Sequence, residues 1–373
     1  DRQVVHIGLD DVHAAALAGV GQARRDGIGA GSILAAADLL SGDRRRGHRA
    51  GLTAWCSSKD QANHPPRFKC AELRYVGLRA NGVQSIAYDT ISLWQAVRSG
   101  HERIVLLGVS GALALPMIRL ISKARIVTNI DGIEWKREKW QGLARLVLRT
   151  SEWAAVKFSH EVIADNQAIA DHVRDTYGSG CHVIAYGGDH ALHEPSEVEA
   201  PTGLPDHYAL GLCRIEPENN VHVILEALDG LDMPLVFVGN WDNSAYGRDL
   251  KVRYRESSNI FLLDPIYEPG ALHALRSRAW VYLHGHSAGG TNPSLVEMMH
   301  FGIPILAHGC AFNRHSTEDK ARYFQSAAEL TEQLCSLDPE DAAQIGSKMR
   351  EIAQRRYTWD QIGKAYFELL DRA

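Results

Sequence analysis

No window of this 373-residue chain approaches 18 uninterrupted apolar residues, so no membrane-spanning helix is predicted. The start, Asp1-Arg2-Gln3, lacks the basic-then-apolar pattern of a signal peptide. Cysteine is sparse: six residues at 56, 70, 181, 213, 310 and 335, with no Cys-x-x-Cys pair. That scatter predicts buried thiols in a reduced cytosol. No basic-aromatic stripe is concentrated anywhere, which argues against a nucleic-acid partner. Arg44-Arg45-Arg46 beside His48 is short and reads as a solvated helix end. The pair His284-Gly285-His286 has no carboxylate or thiol at ligand spacing, so no metal is expected there. Short-period repeats and low-complexity tracts are also missing.

The chain has 45% apolar and 23% charged residues, the balance of a globular protein. Its length exceeds one ordinary core and predicts two domains. Net charge is −5, unevenly spread: basic residues outnumber acidic ones as far as His190, and acidic ones dominate after it. A basic first half could face anionic lipid or a pyrophosphate-linked acceptor.

β-branched apolar runs alternate with amphipathic segments. Strands are predicted at Gln3–Gly8, Gly51–Cys56, Leu73–Gly77, Arg103–Gly108, Arg125–Asn129, Glu161–Ala164 and His182–Tyr186, with helices at Ala112–Ser122 and Trp140–Phe158 between them. The scheme repeats with strands at Tyr208–Cys213, Pro234–Val238, Ile260–Leu263, Trp280–His284 and Ile303–Ala307. Helices are expected at Val221–Gly230, Glu268–Arg278 and Pro293–Phe301, and residues 325–373 read as helical. Two such blocks mean an α/β protein with two parallel, helix-covered sheets. The join falls near Gly187–Pro205, giving domains of about 1–188 and 189–355, with a terminal helix, 356–373, crossing back to the first.

Ligands of such folds bind at the carboxyl ends of strands, where the conspicuous motifs lie. Gly289-Gly290-Thr291-Asn292-Pro293-Ser294-Leu295-Val296-Glu297 is a loop running into a helix, with bare amides that attract an anion and one carboxylate a turn inside. Gly211-Leu212-Cys213-Arg214 ends a strand, and an Arg there can grip a diphosphate with two parallel hydrogen bonds. Asn129-Ile130-Asp131-Gly132-Ile133-Glu134-Trp135-Lys136-Arg137-Glu138-Lys139-Trp140 packs acid, base and aromatic groups as sugar recognition uses them, although Trp135 and Trp140 also read as core anchors. Gly187-Gly188 reads as a hinge or ligand edge, and His286 as a sugar or phosphate contact.

At these motifs the chain resembles the retaining GT-B glycosyltransferases of family 4, and more narrowly their bacterial rhamnosyltransferase-like branch, the DUF1972 group. The resemblance runs from about Gly47 to Ala373. It implies a GT-B fold, two Rossmann-like domains whose sheets face a central cleft. It implies metal-independent transfer of a sugar, often rhamnose in this branch, from a nucleotide-diphosphate donor (dTDP or UDP) to a growing polysaccharide or lipid-linked oligosaccharide. No cofactor is expected. The protein would be cytoplasmic, peripheral at the inner face of the plasma membrane. Arg214 and Asp131 take the catalytic places, Arg214 on the diphosphate and Asp131 where the family has a His near the reacting sugar carbon. Glu297 is placed on the nucleoside ribose. Gly290, Thr291, Asn292, Ser294, Leu295, His286 and Asn219 are donor-binding candidates; Glu134, Trp135, Lys136, Gly187 and Gly188 are acceptor-side or cleft candidates.

Three departures stand out. The family's Glu-x7-Glu pair needs its first Glu at position 289, which is Gly, and the usual Lys partner of the Arg falls at Asn219. Both losses are typical of the branch. Residues 9–46 fit poorly, with no Glu after the Gly19–Ser32 stretch, while Arg46-Gly47-His48 fits again, as an altered segment would. The rival readings are a non-catalytic glycosyltransferase-like binding protein and a GT-B sugar-nucleotide epimerase. A nicotinamide dehydrogenase is disfavoured, since Gly27-Ile28-Gly29-Ala30-Gly31 has no clean strand before it.

Overall fold

The computed structural model describes residues 2–7, 50–59, 64–68, 71–80, 84–130, 132–136, 142–192 and 201–372. The altered-looking segment 9–46, Asp131 and Trp140 lie outside them. The chain forms two compact units, residues 1–185 with 359–373, and residues 186–358.

In the first unit the described elements are β1 (Arg2–Ile7), β2 (Ala50–Ser57), β3 (Arg67–Phe68), β4 (Ala71–Val76), α1 (Gln84–Arg98), β5 (Arg103–Leu107), α2 (Leu115–Ile121), β6 (Arg125–Ile130), α3 (Gly142–Phe158), β7 (Glu161–Ala164), α4 (Gln167–Tyr177) and β8 (His182–Val183). They make a sheet of order β3-β4-β2-β1-β5-β6-β7-β8. All pairs are parallel except β3–β4. Ile104, Leu106, Ile126 and Ile163 are wholly buried, as strands covered by helices on both faces require.

The second unit holds β9 (Tyr208–Leu212), α5 (Val221–Leu228), β10 (Leu235–Val238), α6 (Ala245–Tyr254), β11 (Ile260–Leu263), α7 (Pro269–Arg278), β12 (Ala279–His284), α8 (Pro293–Phe301), β13 (Ile305–His308), α9 (Ala311–Ser316), β14 (Arg322–Phe324), α10 (Ala327–Cys335) and α11 (Pro339–Arg356). Its sheet is wholly parallel, in the order β11-β10-β9-β12-β13-β14. Counted from β9 this is the doubly wound order 3-2-1-4-5-6, whose switch point lies between β9 and β12.

The last helix, α12 (Trp359–Asp371), returns to the first unit. Arg103 Nε donates to the Leu370 carbonyl (2.8 Å), Arg125 Nε to the Leu369 carbonyl (3.1 Å), and Asn129 Nδ2 to the Tyr366 hydroxyl (2.8 Å). The two arginine bonds satisfy carbonyls left open at the helix end. Two short strands have no counterpart in the sequence reading: β3, and β14, which falls in a polar stretch without alternation.

Candidate active site

The loops after β9 and β12 meet at the switch point. Ser287 donates to the Glu218 carbonyl from both its amide (3.0 Å) and its hydroxyl (2.8 Å). Asn220 Nδ2 donates to the Gly285 carbonyl (2.9 Å). Gly285 permits this approach: a Cβ there would stand 2.2 Å from the Asn219 carbonyl oxygen. Backbone thus presses on backbone, and the Arg214 loop and the Gly289–Asn292 loop form one surface.

Arg214 stands at the end of β9 with 37% of its side chain exposed, 3.6 Å from Glu216. A pair so exposed is weak, so the guanidinium is available to another anion. Asn219 is counted among the donor-facing residues on sequence, but the structure buries it, and its Nδ2 donates to the Arg214 carbonyl (2.8 Å). Its amide shapes the loop that carries Arg214.

Helix α8 starts as its sequence dictates. Asn292 Oδ1 accepts from Ser294 N (3.1 Å), Pro293 occupies the first turn, and Gly302 ends the helix in the left-handed region at φ 69°. The sequence reading leaves these first amides bare; the structure does not. Leu295 N and Val296 N both reach the Asn292 carbonyl, at 3.1 and 3.2 Å. An anion at this end would meet the helix dipole and compete with the Asn292 cap for the Ser294 amide. Leu295 is wholly buried and Thr291 nearly so, while Gly290 and His286 are half-buried. Ser294 Oγ donates to Asn292 Oδ1 (2.8 Å) and accepts from the Tyr282 hydroxyl (3.0 Å), which fixes the helix start on β12. Gly289 lies at φ +123°, and a Cβ built on it would meet nothing within 4 Å. Conformation, not room, therefore excludes a Glu at this position.

His286 stacks on His284, ring centres 4.4 Å apart. Burial, assisted by His308, pushes the His284 imidazole down to about 3, so it is neutral at physiological pH. Asn313, absent from the sequence reading, donates to both the His286 and His308 carbonyls at 2.8 Å and holds the loop after β12 in place.

Glu297 departs most from expectation. It is wholly buried; Oε2 accepts from Arg276 Nη2, and Oε1 stands 3.2 Å from His190 Nε2. Arg276 is 5% exposed and His190 19% by side chain. Of these two partners His190 is the more exposed, so a ribose hydroxyl reaching the carboxylate would compete with that ring. Neither partner carries a local motif that would reveal it in the sequence. Beyond Arg276, at the far end of α8, lies a cavity of about 480 Å³, bordered also by His273, His300 and Arg350.

Gly188 sets this geometry. A Cβ on it would lie 2.7 Å from the Val296 carbonyl carbon and oxygen and 2.8 Å from Glu297 N, and its own amide donates to the Tyr357 carbonyl (2.7 Å). The Gly187-Gly188 pair, both residues buried, is a seat for α8. Gly188→Ala should cost about 1–3 kcal/mol, the usual penalty for forcing volume into a packed contact. Chemical denaturation checks this; an unchanged midpoint would show that α8 can move aside.

In the first unit, Glu134–Lys136 forms a turn of 3-10 helix after β6. Trp135 is half-buried, and its Nε1 donates to Glu152 Oε2 (3.1 Å). Glu152, wholly buried, also meets His172 Nε2 and the Tyr177 hydroxyl, each at 2.7 Å. The Trp135 ring is bordered by Lys136, Arg145 and Arg149 at 5.4–5.6 Å. The indole is thus anchored, as the core reading of this residue has it. Glu134 is half-buried and Lys136 exposed.

Comparison with known proteins accords with this architecture. Residues 54–189 match a family model described as a domain of unknown function, DUF1972. The matched stretch holds the Asn129–Lys136 motif and ends beside Gly188. No curated protein matches the chain. Among solved structures, sucrose-phosphate synthase from Thermosynechococcus elongatus superposes with a TM-score of 0.77 at 14% identity, over 99% of this chain and 98% of that one. HepE of Anabaena, in complex with UDP-glucose, gives 0.70 at 16% identity over 100% of both. The catalytic domain of starch synthase IV from Arabidopsis thaliana, bound to ADP and acarbose, gives 0.65 at 14% identity over 99% and 98%. The chain has the GT-B fold.

Proposed function

We propose that the chain is a glycosyltransferase that takes its sugar from a nucleoside diphosphate held on the second unit. The carrying observation is the joined loop surface at the β9/β12 switch point, with half-exposed Arg214 beside the capped start of α8. That surface offers a guanidinium and a helix dipole to one anion, the needs of a diphosphate leaving group. Solved structures of like fold bound to UDP-glucose and to ADP support this reading.

The finer assignment is a metal-independent, retaining enzyme of the rhamnosyltransferase-like branch, using a dTDP- or UDP-sugar and a saccharide or lipid-linked acceptor. Arg214 neutralises the diphosphate, and His286 and Asn292 border it. Glu297 meets the ribose once His190 yields. Asp131 and Glu134 serve the sugar and the acceptor on the first unit.

A thermal-shift series with dTDP, UDP, GDP and ADP tests the donor assignment. Ligand at about 100 times its Kd stabilises the native state by about 2.7 kcal/mol, enough to raise the melting temperature by several degrees. One base should stand out. No shift with any of the four would refute the donor site, and binding without donor hydrolysis or transfer would leave a sugar-nucleotide-binding protein.

A further inference from the structure

Helices α7, α8 and α11 of the second unit border one cavity beyond the C-terminal end of α8. Glycine brings them together. A Cβ on Gly346 would lie 2.2 Å from the Gly302 carbonyl oxygen, so its absence lets α11 press on the turn that ends α8. Positions 346, 350 and 354 share one face of α11. Arg350 therefore lies against the same turn: a Cβ on Gly302 would stand 2.5 Å from its Nη2. On α7, His273, Arg276 and Ser277 form the corresponding stripe. The enclosed volume of about 480 Å³ is that of a small-molecule pocket, for which roughly 300–1,000 Å³ is usual. Leu192, Phe301 and Ile303 supply its apolar wall.

The lining holds two guanidinium groups and no carboxylate. Arg276 is 5% exposed; among the described residues its one hydrogen bond runs from Nη2 to Glu297, and its Nε has no partner. A buried guanidinium with donors to spare is costly until a ligand takes them up. Arg350 Nη2 donates to the Phe301 carbonyl (2.7 Å), which offsets the negative end of the α8 dipole. Glu351, next to Arg350 on α11, pairs with Lys348 at 3.2 Å. Burial holds the His300 imidazole below its ordinary value, and its Nε2 donates to the Tyr357 carbonyl (3.0 Å). The positive charge of the cavity therefore comes from the two arginines. Two forked cations match a phosphoryl dianion better than a single carboxylate, since each guanidinium can give parallel hydrogen bonds. Ser277 and Gln354, both exposed, add polar groups that can meet hydroxyls beside it.

We propose that this cavity is a second anion site, which binds the phosphoryl group of a small phosphorylated molecule through Arg276 and Arg350. It is distinct from the proposed donor surface. Arg214 and the Gly289–Asn292 loop stand at the start of α8, and the cavity at its end. The helix has nine residues, so its ends lie about 13 Å apart, too far for one phosphoryl group to serve both.

Thermal shift of the full chain in phosphate-free buffer tests it, with glucose 1-phosphate, inorganic phosphate, glucose and sodium chloride compared at matched ionic strength. Glucose 1-phosphate should raise the melting temperature by about 2–4 °C near saturation. Glucose and sodium chloride should leave it in place. Inorganic phosphate separates the sources: a shift equal to that of the ester makes free phosphate the occupant, and a smaller one makes it the ester. Gln354→Glu on α11 and Ser277→Asp on α7 each add a carboxylate to the lining, and each should raise the ligand concentration for half the shift about tenfold or more. Both positions are exposed, so circular dichroism should match the wild type, and either variant decides if the other folds poorly. Arg214→Ala should keep the sugar-phosphate shift while losing the nucleotide shift, so the two sites can fail separately. The proposal is overturned if neither phosphate shifts the protein beyond sodium chloride, or if both carboxylate variants bind as the wild type does. A sugar-phosphate shift lost in Arg214→Ala would also overturn it, by placing the anion at the start of α8.

Discussion

Glu297→Ala should lower the stability of the second unit by about 3–5 kcal/mol, the range found when one partner is removed from a buried ion pair. For a unit of this size that is a melting-temperature loss on the order of 10 °C. The cause is what remains behind. Arg276, 5% exposed, would keep its charge with no carboxylate beside Nη2, and its Nε already lacks a partner. His190 would lose its Oε1 contact as well. The sequence reading places this carboxylate on a nucleoside ribose, from which the change should mainly weaken donor binding. The structure makes destabilisation the larger effect, because Glu297 is wholly buried between Arg276 and His190 of its own unit. The double variant Arg276→Met/Glu297→Leu separates the cases: replacing both charges with apolar groups of similar volume should recover most of the loss. Urea denaturation of the three proteins reads it out. Wild-type stability in Glu297→Ala would mean that water or another group reaches Arg276 and that the pair is not sealed. The double variant then isolates ligand binding: if it is stable yet shows no nucleotide shift, the Arg276–Glu297 pair belongs to the donor site.

The same residue shows what was legible in the sequence. The period of apolar residues placed β9, β12, β13 and α8 within a residue or two, because strands buried on both faces and capped helices leave strong local marks. The Asn292 cap, Pro293 and the Gly302 stop are visible as types and positions. Pairings between distant segments left no such mark. Arg276 lies 21 residues before Glu297 and meets it only because α7 and α8 flank β12. Asn219 read as a ligand contact because its position suggested one, and it turned inward to bond a carbonyl five residues back. Gly188 reads as a hinge or ligand edge from its place in a glycine pair at a strand end, whereas the structure needs its closeness to the backbone of α8. β14 was invisible because three residues at a sheet edge carry too little pattern.

Arg214→Ala should leave stability nearly unchanged and remove catalysis. The side chain is 37% exposed and its pairing with Glu216 at 3.6 Å is loose, so the folding change should stay within about 0.5 kcal/mol. The catalytic loss should be at least about 10²-fold in kcat/KM. In the proposed reaction, departure of a nucleoside diphosphate would build negative charge that the guanidinium meets most strongly in the transition state, and about 1.4 kcal/mol is lost for each tenfold. Arg214→Lys would keep the charge but not the planar fork, so its activity should fall between the two. The three proteins also distinguish a donor-binding Arg from a loop anchor. Asn219 Nδ2 bonds the Arg214 backbone carbonyl, which Ala and Lys both retain; the loop therefore survives the substitution and any loss belongs to the side chain. Initial rates with the nucleotide sugar that gives the largest thermal shift provide the measurement. Wild-type rates in Arg214→Ala would take this residue out of the mechanism and leave the start of α8 to hold the diphosphate alone.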